Sequence, residues 1–156
     1  MNKVLRLTSL LMITLLFTFV TGCNKDDDDN GGGIGSGSIK AKINGETVKF
    51  GNINAGSALG VIAIDGTKDQ WKISFLLPAD IGEGEHALSS NQINYSVILE
   101  DGDEMTMGNG TIKVTKHNEG SNELKATFHF TGNSIPGNKS YNVTDGELDV
   151  KYKETN

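Results

Sequence analysis

From Ile39 onward, apolar and polar residues alternate with a period of two, and no sustained helical period appears. Trp71, Ile73, Phe75 and Leu77 share one phase, with Lys72 and Ser74 on the other. Ile93, Tyr95, Val97 and Leu99 alternate with Asn94, Ser96 and Ile98. Leu124, Ala126, Phe128 and Phe130 alternate with Glu123, Lys125, Thr127 and His129, and Leu148, Val150 and Tyr152 with Glu147, Asp149 and Lys151. Shorter runs are Ile39-Ala41-Ile43 with Lys40 and Lys42 opposite, and Ile112-Val114 between Thr111, Lys113 and Thr115. Successive side chains of a strand point to opposite faces, so each run predicts a half-buried antiparallel strand.

Turn chemistry falls between these runs. Asn44-Gly45, Asp65-Gly66, Asp101-Gly102, Asn109-Gly110 and Asp145-Gly146 tolerate positive φ, and each is a candidate hairpin turn. Asn118-Glu119-Gly120 and Ile135-Pro136-Gly137-Asn138 predict longer turns. After Pro78 at most one helical turn fits before Gly82 and Gly84 interrupt it. The expectation is an all-β domain over residues 39–156: one antiparallel β-sandwich or β-barrel of about nine or ten short strands. The pattern leaves sandwich and barrel equally open.

The amino terminus obeys different rules. Met1 to Arg6 carries two positive charges, and Leu7 to Val20 is an uncharged, mostly apolar run of 14 residues. That is short for a spanning helix, which needs about 20, and it fits the apolar stretch of a signal peptide over residues 1–22. Val20-Thr21-Gly22-Cys23 follows, and it resembles the lipobox of bacterial lipoproteins, with Val20 standing where Leu is commonest. The resemblance implies that the Cys23 thiol receives a diacylglycerol. Cleavage then leaves Cys23 first in the mature chain, acylated with palmitate-type chains and holding the protein in the lipid bilayer. A thiolate is a strong nucleophile for such a transfer, and several acyl chains make the anchoring stable. The bland alternative is an ordinary cleaved signal peptide with an incidental Cys.

Lys25-Asp26-Asp27-Asp28-Asp29 comes next and resembles the surface-export signal of Bacteroidota lipoproteins, which directs them to the outer face of the outer membrane. A solvated charge run is the competing explanation, and it leaves the periplasmic face open. Gly31 to Ser38 (GGGIGSGS) reads as a flexible tether about 15 Å from end to end. Residues 23–38 thus form a lipidated Cys, an acidic block and a Gly/Ser linker. Further along, Lys42 to Phe50 (KINGETVKF) and Gly110 to Tyr152 resemble the opening hairpin and carboxyl-terminal half of small Bacteroidota lipoproteins of unknown function. That family offers no catalytic residues to carry over.

Charge changes the picture only by exclusion. The chain has 14 Lys plus Arg and 20 Asp plus Glu. Without Lys3 and Arg6 the balance is 12 against 20, a net charge of −8, whereas nucleic-acid binding calls for clustered basic residues. The single Cys excludes an internal disulfide framework and any multi-Cys zinc site.

Candidate chemistry is sparse. His86, His117 and His129 stand in separate contexts without metal-pair spacing. Glu83, Glu85 and His86 contain ligand-type atoms but read more simply as a solvated loop, and Glu100 to Glu104 as a charged turn lacking the ligand pattern of a calcium loop. No Gly-x-Ser-x-Gly nucleophile motif occurs. The expectation is therefore no catalytic residues, no metal and no cofactor. Among the aromatics suited to stacking, Trp71, Tyr95 and Tyr152 fall on apolar phases. Tyr141, after Pro136, is the one expected to be exposed, which makes Ser134–Val143, with Pro136, Asn138 and Tyr141, the candidate binding surface. The resulting expectation is a non-catalytic, outer-membrane-anchored surface module whose partner is an envelope or host glycan or protein. A lipid-like ligand carrier with a barrel cavity is the alternative, and a hydrolase the more remote one.

Overall fold

The computed structural model describes residues 35–89, 95–100, 104–105, 109–135 and 139–154. Every regular element among them is a strand: β1 (Ser36–Ile43), β2 (Glu46–Ala58), β3 (Val61–Lys68), β4 (Trp71–Pro78), β5 (Gly84–Leu88), β6 (Tyr95–Glu100), β7 (Glu104–Met105), β8 (Asn109–Asn118), β9 (Glu123–Ile135), β10 (Ser140–Lys151) and β11 (Lys153–Glu154). The all-β expectation holds. The count is eleven rather than nine or ten, because β7 and β11, at two residues each, are too short to carry a periodic signal.

The strands lie in the order β5-β8-β9-β10-β1-β2-β3-β4-β6, with β7 paired to β9 and β11 to β2. All pairings are antiparallel except β11 on β2. Strand β2 is the corner. Its first part, Glu46 to Phe50, pairs with β1, and its second, Gly51 to Ala58, pairs with β3. At the start of the second part, between Gly51 and Asn54, the register shifts and Asn52 adopts φ 44°, the local signature of a bulge that bends a strand. The sheet thereby curls over itself as a half-barrel. Phe75 of β4 meets Phe128 and Phe130 of β9 edge-on, at 4.8 and 6.4 Å between ring centres.

The core follows the predicted phases. Ile39, Ala41 and Ile43 are buried while Lys42 is exposed, and Leu124, Ala126, Phe128, Phe130, Leu148, Val150 and Tyr152 all point inward. Ile73, Phe75 and Leu77 are buried and Trp71 is half-buried against them.

Three features correct the sequence reading. The tether expected to run to Ser38 ends earlier, since Ser36, Gly37 and Ser38 pair with Lys151, Val150 and Asp149. Asn44-Gly45 does close the β1–β2 hairpin, with φ 50° and 92°, and Glu119 to Asn122 turns β8 into β9. Three other expected turns lie inside strands: Asp65-Gly66 in β3, Asn109-Gly110 in β8 and Asp145-Gly146 in β10. Each of these glycines lies against a Phe, namely Phe50, Phe130 and Phe128. The missing Cβ makes room for the Phe128 ring at Gly146, for the backbone and Cβ of Phe130 at Gly110, and for Phe50 Cβ with the Ile39 and Ile53 side chains at Gly66, and none of the three reverses the chain. The β2–β3 and β3–β4 turns are instead Leu59-Gly60 and Asp69-Gln70. Asp101-Gly102 and the Pro136–Asn138 turn lie outside the described residues.

Candidate functional site

The expected exposure of Tyr141 is corrected by the fold. Strand β10 starts at Ser140, so Tyr141 pairs with Gly132 of β9 and joins the inward phase of Val143. It is 2% exposed and meets Trp71 of β4 edge-on at 5.5 Å. The ring closes the core at that end and presents no face to a ligand. Pro136 and Asn138 lie outside the described residues, as do Cys23, Lys25, Asp26, Asp27, Asp28 and Asp29. Tyr152, expected in the core, is buried there.

A concavity open to a ligand lies on the outer face of β8, β9, β10, β1 and β2. It is a furrow of about 510 Å³ lined by Ser38, Lys40, Lys49, Thr115, Lys125, Glu147 and Asp149, together with Ile39, Phe50, Ala126 and Leu148. Register builds it: Lys40 is opposite Lys49 on one side and Glu147 on the other, and Asp149 is opposite both Ser38 and Lys125. Lys40 pairs with Glu147 at 3.0 Å, and Lys125 with Asp149 at 2.6 Å and Glu123 at 3.5 Å. Lys116 reaches Glu123 at 2.6 Å. The hydrogen bond to Asp149 holds the Lys125 ammonium above its ordinary range, and the hydrogen bond from Lys116 holds the Glu123 carboxyl below its own. Alternating fixed charges of this kind offer donors and acceptors to a polar ligand at one surface. The alternation placed these residues outside, but their assembly depends on which strands are neighbours, and one sequence carries no signal of that.

A second polar cluster joins distant segments. His117 of β8 has Nδ1 2.8 Å from the Ile81 carbonyl oxygen and Nε2 3.0 Å from the Tyr152 hydroxyl. A carbonyl only accepts, so Nδ1 carries the proton, and in the neutral ring Nε2 accepts from the phenol. Burial, followed by the charges of Glu119 and Glu154, raises the Tyr152 phenol above its ordinary value, which keeps it a donor. These contacts span 36 and 35 residues of chain, and they fasten the segment after β4 to β8 and the end of β10.

His86 sits elsewhere, with Nε2 2.8 Å from the Gly82 carbonyl oxygen, beside the exposed Glu83 and Glu85. His129 is on the exposed phase of β9. Among the described residues no three His, Cys, Asp or Glu side chains come together as a metal site.

A family model described as "Domain of unknown function (DUF6252)" matches residues 35–149. The chain belongs to the DUF6252 family. The match takes in β1 through most of β10 and includes the whole furrow, whereas Tyr152 lies beyond it. The DUF6252 match starts one residue before β1, in agreement with Ser36 rather than Ile39 as the first residue of the sheet. No curated protein and no solved structure matches the chain.

Proposed function

We propose that this chain is an outer-membrane lipoprotein of the Bacteroidota type, anchored through Cys23 and exposed at the cell surface, whose DUF6252 domain is a non-catalytic binding or accessory module. The observation that carries the proposal is the spacing at the amino terminus. The only Cys stands at a lipobox-like junction, and the first strand begins thirteen residues later, at Ser36. That spacing fits a domain held close to the membrane. Binding at an outer face, rather than carriage inside a barrel, is favoured by the aromatic packing of Phe75, Phe128 and Phe130, which fills the space between the facing strands. The furrow lined by Lys40, Lys49, Lys125, Glu147 and Asp149 is the surface best suited to a polar glycan or peptide.

The anchor is tested by growing cells with a clickable palmitate analogue. The natural chain takes up label and sediments with membranes, and Cys23→Ser does neither. Membrane retention of Cys23→Ser without label sinks the anchor. Replacing Asp26–Asp29 with Ala leaves the label and shields the domain from protease added to intact cells. The binding role is tested by thermal shift against saccharides and peptides. A ligand at a hundred times its Kd adds about 2.7 kcal/mol, and Lys49→Glu together with Lys125→Glu removes that gain if the furrow is the site.

A further inference from the structure

Six non-glycine residues among those described have positive φ: Asn44, Asn52, Leu59, Asp69, Asn122 and Asp145. Five are Asn or Asp, whose short polar side chains tolerate this conformation. Leu59 is the exception, at φ 53° in a two-residue turn where Ala58 pairs with Val61. It is also the large hydrophobic residue exposed among the described residues, at 89%. Its backbone is disfavoured for Leu, and its side chain finds nothing to bury against within the fold. Both costs fall on one residue, the pattern expected where a function outside the folded domain maintains it.

The surroundings of Leu59 say which function. Ala58, Val61 and Pro78 are half-buried around the base of the turn, with Val61 opposite Pro78, and the Gly60 carbonyl accepts a hydrogen bond from the Ala79 amide at 2.8 Å. The tip is thus an apolar point on a backbone-fixed mount. The chain joins the sheet at the same end. A Cβ at Gly35 would lie 2.6 Å from the Ala55 carbonyl oxygen, and Ala55 precedes Leu59 by about 13 Å of strand. Gly35 follows Cys23 by twelve positions, a reach of roughly 20 Å. Asn44-Gly45 and Asp69-Gln70, the polar tips, lie at the opposite end of the strands.

We propose that Leu59, with Ala58, Val61 and Pro78 around it, is a membrane-contact tip that seats in the bilayer to which Cys23 tethers the chain and sets the furrow's orientation above it. This inference rests on the anchored-lipoprotein reading. Acidic Asp80, Glu119 and Glu154 accompany Lys151 and Lys153 at this end, so the contact is apolar rather than electrostatic and raising the salt concentration leaves it unchanged.

The test uses the full chain, purified from membranes and reconstituted into phosphatidylethanolamine–phosphatidylglycerol vesicles, with Leu59→Trp compared with Asn44→Trp. Trp71 supplies the same background in both. Brominated acyl chains should quench the added emission of Leu59→Trp and not that of Asn44→Trp, with a blue shift only in the former. Equal quenching at the two positions, or none at 59, overturns the proposal. A blue shift that appears without lipid and grows with protein concentration overturns it too, and assigns the tip to a second copy. Mass spectrometry of Cys23 reports the anchor separately. If acylation is absent, an amino-terminal His tag held on chelating lipids restores the tether, and the same pair of variants still decides.

Discussion

Asn44-Gly45 and Asp145-Gly146 look alike in sequence and lie close together in the fold, yet they do different work. Both begin with a residue near φ 50°. Asn44-Gly45 reverses the chain, and a Cβ on Gly45 would meet nothing within 4 Å. Asp145-Gly146 leaves β10 running in the same direction but shifts its register, with Lys42 of the facing strand reaching Asp145 at 2.8 Å. A Cβ on Gly146 would run into the Phe128 ring. In these two pairs the Asx supplies a positive φ and the glycine a missing side chain. Whether such a pair becomes a turn or a bulge depends on which strand lies alongside and what stands over the glycine.

The sharpest way to break this comparison is to give both glycines a methyl group. Gly146→Ala should cost about 3 kcal/mol through overpacking against Phe128, whereas Gly45→Ala should cost about 1–2 kcal/mol from its positive φ alone. Urea unfolding monitored by Trp71 emission measures both. Equal losses would mean that Phe128 moves aside freely and that Gly146 is there for its backbone.

The first residue of each pair gives a smaller separation. Asn44 does more than tolerate its φ. Its Oδ1 accepts from the Asn142 amide at 2.8 Å, and its own amide donates to the Asn142 carbonyl at 2.9 Å, stitching the hairpin to β10. Asn44→Ala should lose about 1–2 kcal/mol from the side-chain bond and the backbone cost together. Asp145 is solvated, and its hydrogen bond with Lys42 holds the carboxyl below its ordinary value of 3.8. A lowered folded value stabilises above the unfolded pKa, and that contribution is lost as pH falls through the folded one. Asp145→Asn should therefore be slightly less stable than the natural chain at neutral pH and equal to it at the acid end. A difference that persists in acid would assign the effect to backbone geometry instead of the ion pair.

Much of the fold was legible because one physical rule, alternation across a half-buried strand, governs Ile39–Ile43, Leu124–Phe130 and Leu148–Tyr152 alike. What stayed hidden depends on neighbours distant in sequence. That β10 lies against β1 cannot be read from either strand, and that pairing both assembles the charged furrow and makes Asp145-Gly146 a bulge. Tyr141 was misplaced because Pro136-Gly137 suggested a loop running to Val143, when the Tyr141-Val143 alternation already belonged to β10. His117 meets Ile81 and Tyr152 only after three segments converge. The furrow's charges were legible as exposed but not as a group.

The smallest effect expected is also the one of opposite sign. Leu59-Gly60 has the backbone of Asn44-Gly45, with φ 53° and 78° against 50° and 92°, so the fold asks the same of residue 59 as of residue 44. Leu59→Asn should raise stability by about 0.5–1 kcal/mol, since Asn enters this region more readily and the exposed Leu59 side chain buries nothing that its loss would forfeit. Thermal unfolding of the chain in detergent, away from any bilayer, reads that gain. A gain there places the reason for Leu59 outside the folded domain. A loss would mean that Leu59 packs on Ala58, Val61 or Pro78 strongly enough to outweigh its backbone cost, and the apparent mismatch between the two turns would then be a feature of stability alone.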